Sequence, residues 1–121
     1  MAEGNIVQEK AYKFSLNTIQ MCRYLMDTKK EYIISKQLCK SGTSIGANIE
    51  DGLYAPSKKD FVHKLSISLK EARESHYWIR LLRDSAYAPE KEVELSILLK
   101  DLNEIIALLT SIIKSSRLTL P

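Results

Sequence analysis

Apolar residues recur every three or four positions through four long stretches of this 121-residue chain, and this spacing is that of one face of a helix. The chain has only four glycines and three prolines, so it offers few positions at which a long helix would break. No stretch shows the alternation of apolar and polar residues that a sheet would need. The sequence therefore predicts an all-α fold.

Short polar or proline-containing breaks set the limits of four helices. Their predicted bounds, within a single domain of residues 1–121, are 6–28, 35–53, 58–85 and 89–115. Ser57 and Asp60 resemble a capping box at the start of the third helix, and Pro89 suits the first position of the fourth. Because short breaks leave consecutive helices side by side, we expect an antiparallel up-down four-helix bundle.

Two glycines lie inside the second helix. Gly42 and Gly46 each cost about 1 kcal/mol relative to alanine in a helix. Their separation of four residues places both on one side of the helix. This pattern predicts that a neighbouring backbone approaches closely there.

The third and fourth helices carry more apolar side chains than one bundle core requires. The surplus positions, our candidates for an oligomer interface, are Ile67, Trp78, Leu99, Ile106 and Ile113. A tryptophan beside the core either closes the edge of the core or contacts another subunit, where tryptophan is enriched. Surplus apolar rows on two helices favour self-association as a homo-oligomer.

One side of the third helix is predicted to carry a basic stripe opposite the core. Its members, within about 100° of a helical wheel, are Lys59, His63, Lys70, Arg73, Tyr77 and Arg80. Residues 1–83 have a formal charge of +5 and residues 84–121 one of −2, so the positive charge belongs to the first three helices. Cations along a rigid helix with an aromatic between them suit a nucleic-acid backbone, RNA or DNA, without strong sequence specificity. A solvated surface on a protein-interaction scaffold is the alternative.

A group of polar residues is predicted beside the core, between the second and third helices. Its members are Ser44, Asn48, Glu50, Lys64 and Glu71. Buried charges require partners, so we expect Glu50 or Glu71 to pair with Lys64 or an arginine. The interpretation is structural rather than catalytic.

The sequence offers little support for an enzyme. His63 and His76 are the only histidines, and neither lies in a recognisable catalytic triad. Asp60 and His63 form a single acid-x-x-His pair, whereas a di-metal carboxylate site needs two such pairs and further glutamates. We therefore predict a non-enzyme with no metal, no cofactor and no small-molecule substrate.

The cysteines and the hydropathy of the chain predict its compartment. Cys22 and Cys39 lack a nearby second cysteine and are predicted to be structural thiols on helices. No apolar run approaches the ~18–20 residues of a membrane span, and the N-terminus lacks the features of a signal peptide. The expectation is a cytoplasmic protein that does not contact a membrane.

Several segments of the chain resemble a known family. They are residues 41–50, 57–61, 64–74 and 77–82, with Tyr12, Phe14 and Ser15 in the first helix. These segments resemble the four-helix-bundle proteins encoded in intervening sequences of bacterial 23S ribosomal RNA, which are often labelled ribosomal proteins. Many relatives have Ala-Glu-Gly where this chain has Glu50-Asp51-Gly52. No molecular activity is firmly assigned to that family.

The resemblance also implies an assembly and a class of partner. It implies that bundle protomers form a pentameric ring. The chain is similar, in addition, to the accessory protein of diversity-generating retroelements, a basic pentamer that works with reverse transcriptase and nucleic acid. The resemblance thus implies an RNA or DNA partner.

Overall fold

Four α-helices make up most of the protein. The computed structural model describes residues 2–120. The helices are α1 (Ala2–Asp27), α2 (Ile34–Leu53), α3 (Lys58–Asp84) and α4 (Glu92–Leu118), with a 3-10 turn at Pro89–Lys91. No strand occurs between residues 2 and 120. The predicted all-α class is confirmed.

The helix ends differ from the predicted bounds by a few residues. Helix α1 begins at Ala2 rather than at residue 6, because polar residues continue the helix ahead of the apolar pattern. Pro89 begins a 3-10 turn, and α4 follows from Glu92, an arrangement common at helix N-termini. The Ser57 hydroxyl accepts a hydrogen bond of 3.1 Å from the Asp60 amide, as the capping pattern predicts.

The predicted apolar faces meet in one core. Fully buried side chains from the four helices include Val7, Phe14, Leu25, Leu38, Ile45, Leu65, Ile79, Leu102 and Ile105. Each recurs at the three- or four-residue spacing that keeps it on one side of its helix. The periodicity of the sequence therefore located these core positions.

Two of the candidate interface residues belong to this core. Leu99 is 6% exposed and Ile113 is 5% exposed within the single chain, so neither is accessible to a second copy. The prediction that they lie in an oligomer interface is wrong. Helix α4 packs against both α1 and α3, and two neighbours bury a wider apolar arc than the single seam assumed from the sequence.

Each helix contacts two others: α1 and α3 both pack against α2 and α4. The Gln8 amide donates a hydrogen bond of 2.5 Å to the Glu50 carboxylate, and the Cys22 thiol donates one of 3.3 Å to the Ser35 carbonyl. The start of α1 thus lies beside the end of α2, and the end of α1 lies beside the start of α2.

Small residues fill the boundary between α2 and α3. The Ser75 hydroxyl donates a hydrogen bond of 2.8 Å to the Ser41 hydroxyl, and the Ser68 hydroxyl donates one of 2.8 Å to the Ile45 carbonyl. All three serines are buried. Their hydrogen bonds satisfy polar groups that would otherwise destabilise the core, and their small size lets the helices approach closely.

The glycines of α2 differ in how tightly they are enclosed. A Cβ at Gly42 would lie 2.9 Å from the Thr18 Cγ2, so the predicted close approach holds there, against a side chain rather than a backbone. The nearest atom to a Cβ at Gly46 is the Ser15 Oγ at 3.6 Å, an ordinary contact. The tightest position is Gly52, where the Leu65 Cδ1 would lie at 2.8 Å.

A carboxylate caps α2. The Glu31 side chain, 8% exposed, accepts hydrogen bonds from the amides of Ile33, Ile34 and Ser35 and from the Ser35 hydroxyl, at 2.7–3.0 Å. Burial alone would raise the pKa of Glu31, but these hydrogen bonds outweigh it and hold the pKa below its ordinary value. The carboxylate also suits the positive end of the helix dipole.

Alanine substitutions at the two interior glycines of α2 should change stability in opposite directions. Gly46→Ala should increase the free energy of unfolding by up to about 1 kcal/mol through helix propensity. Gly42→Ala should decrease it by about 1–2 kcal/mol, because the new methyl group would overlap Thr18, whose β-branched side chain has few alternative rotamers. Urea unfolding measures both values. Equal effects at the two positions would contradict the packing described here.

Replacing Glu31 by glutamine should remove a pH-dependent part of the stability. A carboxyl group whose pKa falls on folding contributes stability above its unfolded pKa of about 4.3, and this contribution is lost as pH falls through the folded pKa. Glu31→Gln should cost about 2 kcal/mol at pH 7, and the deficit should shrink below pH 4. Urea unfolding at both pH values measures this, with exposed Glu9→Gln as the control. A deficit independent of pH would contradict it.

Candidate nucleic-acid interface

The basic stripe of α3 lies on the surface. Its six members, Lys59, His63, Lys70, Arg73, Tyr77 and Arg80, are all exposed, as the helical wheel predicts. None of the four cations forms an ion pair with a carboxylate of the described chain. By contrast, Lys10 lies 3.2 Å from Glu104 of another helix. The positive charge of the stripe is therefore not neutralised locally.

One end of the stripe combines a cation with aromatic rings. The Arg80 guanidinium lies over the Tyr77 ring, 5.8 Å from its centroid, and the Trp78 ring meets Tyr77 edge-on with centroids 5.1 Å apart. The Arg80 Nε donates a hydrogen bond of 3.0 Å to the His76 Nδ1. Burial and then the charge of Arg80 lower the pKa of His76, so the imidazole is neutral at pH 7 and able to accept. Together these contacts orient Tyr77 and Arg80 at the surface.

A residue of α4 joins the stripe at its middle. Arg117 lines the groove between α3 and α4 together with Lys70 and Arg73. Arg117 was not predicted from the sequence, because residues 84–121 carry a net negative charge. The acidic residues of that segment all precede position 105, and the remainder contains only basic charges. That change of sign along α4 was the available signal.

The predicted polar group does not form one cluster. The Glu50 carboxylate faces α1 and accepts from Gln8, whereas the Lys64 ammonium lies 3.8 Å from the Asp51 carboxylate. The expected pairing of Lys64 with Glu50 or Glu71 is therefore wrong. The reason is that consecutive residues of α2 are rotated by about 100° around the helix axis. Glu50 and Asp51 therefore face different neighbouring helices.

The other polar residues predicted on α2, Ser44 and Asn48, form hydrogen bonds with backbone carbonyls of α2 itself. The Ser44 hydroxyl donates to the Lys40 carbonyl at 2.7 Å, and the Asn48 amide donates to the Ser44 carbonyl at 2.8 Å. The backbone carbonyl of Glu71 lies 2.9 Å from the Ser75 hydroxyl and is an alternative acceptor for it within α3. These hydrogen bonds are made within α2 and within α3.

The remaining interface candidates are partly buried. Ile67 is half-buried on α3, and Trp78 and Ile106 pack against the core. Trp78 also donates a 3.4 Å hydrogen bond to the Glu74 carboxylate from its indole nitrogen. Trp78 thus packs at the edge of the core within one chain, and the contact of Ile67, Trp78 and Ile106 with another subunit stays a prediction.

A more exposed apolar surface lies between α1 and α2. Tyr12 is 65% exposed and Leu16 is 48% exposed, and both line a groove with Ile19 of α1 and Ala47 of α2. This surface was not predicted from the sequence. The spacing of Tyr12, Leu16 and Ile19, four and three residues apart, was a second apolar row that could have indicated it.

The surroundings of the Cys22 thiol determine its protonation. Burial, followed by the neighbouring Cys39 thiol, raises the pKa of Cys22 to about 12, so Cys22 stays protonated at neutral pH. Within residues 2–120, no three His, Cys, Asp or Glu side chains are grouped so as to hold a metal ion. Nor does any helix in that range have the length and apolar character needed to cross a membrane.

The chain is similar to known proteins over nearly its whole length. Residues 3–111 match the family described as 23S rRNA-intervening sequence protein. The chain is also similar to a solved structure of a protein with unknown function from the S23 ribosomal protein family of Bacteroides thetaiotaomicron VPI-5482. That similarity has 40% identity and a TM-score of 0.87, and it covers 93% of this chain and 98% of the other. No curated protein matches this chain.

Proposed function

Because the chain belongs to the 23S rRNA-intervening sequence protein family, we propose that it is a non-enzymatic accessory protein that binds RNA or DNA. The observation that carries this proposal is the stripe of four exposed cations on α3 without carboxylate partners in the described chain. Such cations bind phosphates by releasing condensed counterions. The family name refers to ribosomal RNA, and the solved structure belongs to a ribosomal protein family; both fit the same class of partner.

The proposed binding has little sequence specificity. Lysine and arginine contacts to phosphates position a nucleic acid but do not read its bases. The stripe extends for about 30 Å along one rigid helix, since Lys59 and Arg80 are 21 positions apart and each position adds about 1.5 Å. That length allows several phosphates to be contacted at once and makes affinity depend strongly on salt.

We further propose an antiparallel up-down bundle that assembles into a homo-oligomeric ring, a pentamer as the family resemblance implies. The pairing of Gln8 with Glu50 and of Cys22 with Ser35 supports opposite directions for α1 and α2. The exposed apolar groove of Tyr12 and Leu16 supports self-association, because covering it with another surface would remove large apolar side chains from water. This groove replaces Leu99 and Ile113 as the proposed contact.

Reversing two charges of the stripe should weaken binding to generic RNA. Lys70→Glu with Arg73→Glu should reduce affinity about 25-fold or more near 0.1 M salt, since each lost phosphate contact accounts for about fivefold there. Fluorescence anisotropy with a labelled oligonucleotide measures this. The matched control is Lys36→Glu with Lys100→Glu, which changes the net charge equally at exposed positions on α2 and α4.

Equal affinity loss in the two double variants would show only an effect of net charge. It would contradict a localised site on α3. Binding that does not weaken as salt increases would also contradict the proposal. Co-purification of a specific protein with no affinity for nucleic acid would favour the scaffold alternative.

A charge in the α1–α2 groove should disrupt the assembly. Leu16→Glu should lower the mass in solution, measured by light scattering, because an ionised carboxylate at a protein interface loses its hydration. Val93→Glu, at another exposed apolar position, should leave the mass unchanged. A wild-type mass of 13.8 kDa in dilute solution would show a monomer and refute self-association.

A further inference from the structure

The groove between α3 and α4 has cationic walls and an apolar floor. Its lining residues are Ser66, Leu69, Lys70, Arg73, Ile113 and Arg117. Three of the six are cations, from both helices, and none is acidic. All three cations are exposed, and none has an ion-pair partner among the described carboxylates. This arrangement suits a ligand that carries both negative charge and an apolar portion.

Contacts at the C-terminal end of α4 hold Arg117 in place. The Lys58 ammonium of α3 donates a hydrogen bond to the Thr119 hydroxyl, and Leu120 packs against the core. The end of α4 is therefore attached to the start of α3. Arg117 is thereby held beside Lys70 and Arg73 rather than projecting from a frayed terminus.

We infer that this groove binds the phosphodiester backbone of a single-stranded nucleic acid, with phosphate on Lys70, Arg73 and Arg117 and a sugar or base on the partly exposed Leu69. The inference rests on the proposed function and adds the form of nucleic acid and a contribution from α4. A duplex keeps its bases stacked inside and presents mainly phosphates to a surface. A single strand exposes bases as well, which an apolar floor between cations can contact.

The position of Tyr77 is consistent with a single strand. It lies one helical turn beyond Arg73 on the same side of α3, and its ring is oriented by Arg80 and Trp78. Aromatic rings that alternate with cations are typical of single-strand binding, because every base offers a face for stacking. The groove and Tyr77 together form a continuous path along α3.

A purely structural role for Arg117 gives a different expectation. A cation in the last turn of a helix stabilises the helix through its dipole, whatever ligand is bound. Lys114 lies one turn earlier on α4, is exposed, and does not line the groove. It therefore serves as a control for charge and helix position that is not part of the groove lining.

The test compares Arg117→Gln, Arg117→Lys and Lys114→Gln in the full-length protein. Arg117→Gln should weaken binding of a labelled single-stranded oligonucleotide about fivefold near 0.1 M salt and reduce the slope of log affinity against log salt by about 0.7. Arg117→Lys should retain most of the affinity, and Lys114→Gln should change it less than twofold. Wild-type protein should bind the single strand more tightly than a duplex of the same sequence.

Three results would overturn the inference. Equal effects of Arg117→Gln and Lys114→Gln, while the Lys70/Arg73 double variant still weakens binding, would exclude the groove but keep the α3 stripe. Duplex binding as tight as single-strand binding would exclude the single-strand preference. If the Lys70/Arg73 variant also had no effect, the proposed function itself would fail. Urea unfolding of each variant separates loss of binding from loss of folding.

Discussion

Helix α2 meets α1 at Gly42 and α3 at Gly52, two positions where even a methyl group would overlap a neighbouring side chain. A hydrogen bond adds a second constraint at the α2–α3 boundary, because the buried Ser68 hydroxyl of α3 reaches the Ile45 carbonyl of α2 only in one register. Apolar packing alone would tolerate a shift along the helix axis more readily. The rotation of α3, and with it the direction of the basic stripe, thus depends on these close contacts with α2.

The part of the fold that follows from a single helix could be predicted from sequence. The periodicity of Val7, Phe14 and Leu25 placed one side of α1 in the core, and the same reasoning placed the stripe at the surface. Burial and exposure along one helix depend on the 3.6-residue repeat, which the sequence contains directly.

The errors concern relations between helices. Leu99 and Ile113 were assigned to an interface because the spacing of apolar residues in α4 does not show how many helices pack against it. The pairing of Lys64 with Asp51 depends on the rotation of α2, and Arg117 joins the stripe through a groove that exists only once α3 and α4 pack. The Glu31 cap was missed because it precedes α2 by several residues instead of occupying the usual capping position.

The two surface grooves lie on opposite sides of the bundle, since α1 and α3 each pack between α2 and α4. If the α1–α2 groove of one copy docks on a surface of the next copy other than its α3–α4 groove, every α3–α4 groove stays open. In the proposed ring, a strand held in one groove would meet the next groove at a high effective concentration. Avidity would then make strand length, more than base sequence, the property that such an assembly discriminates.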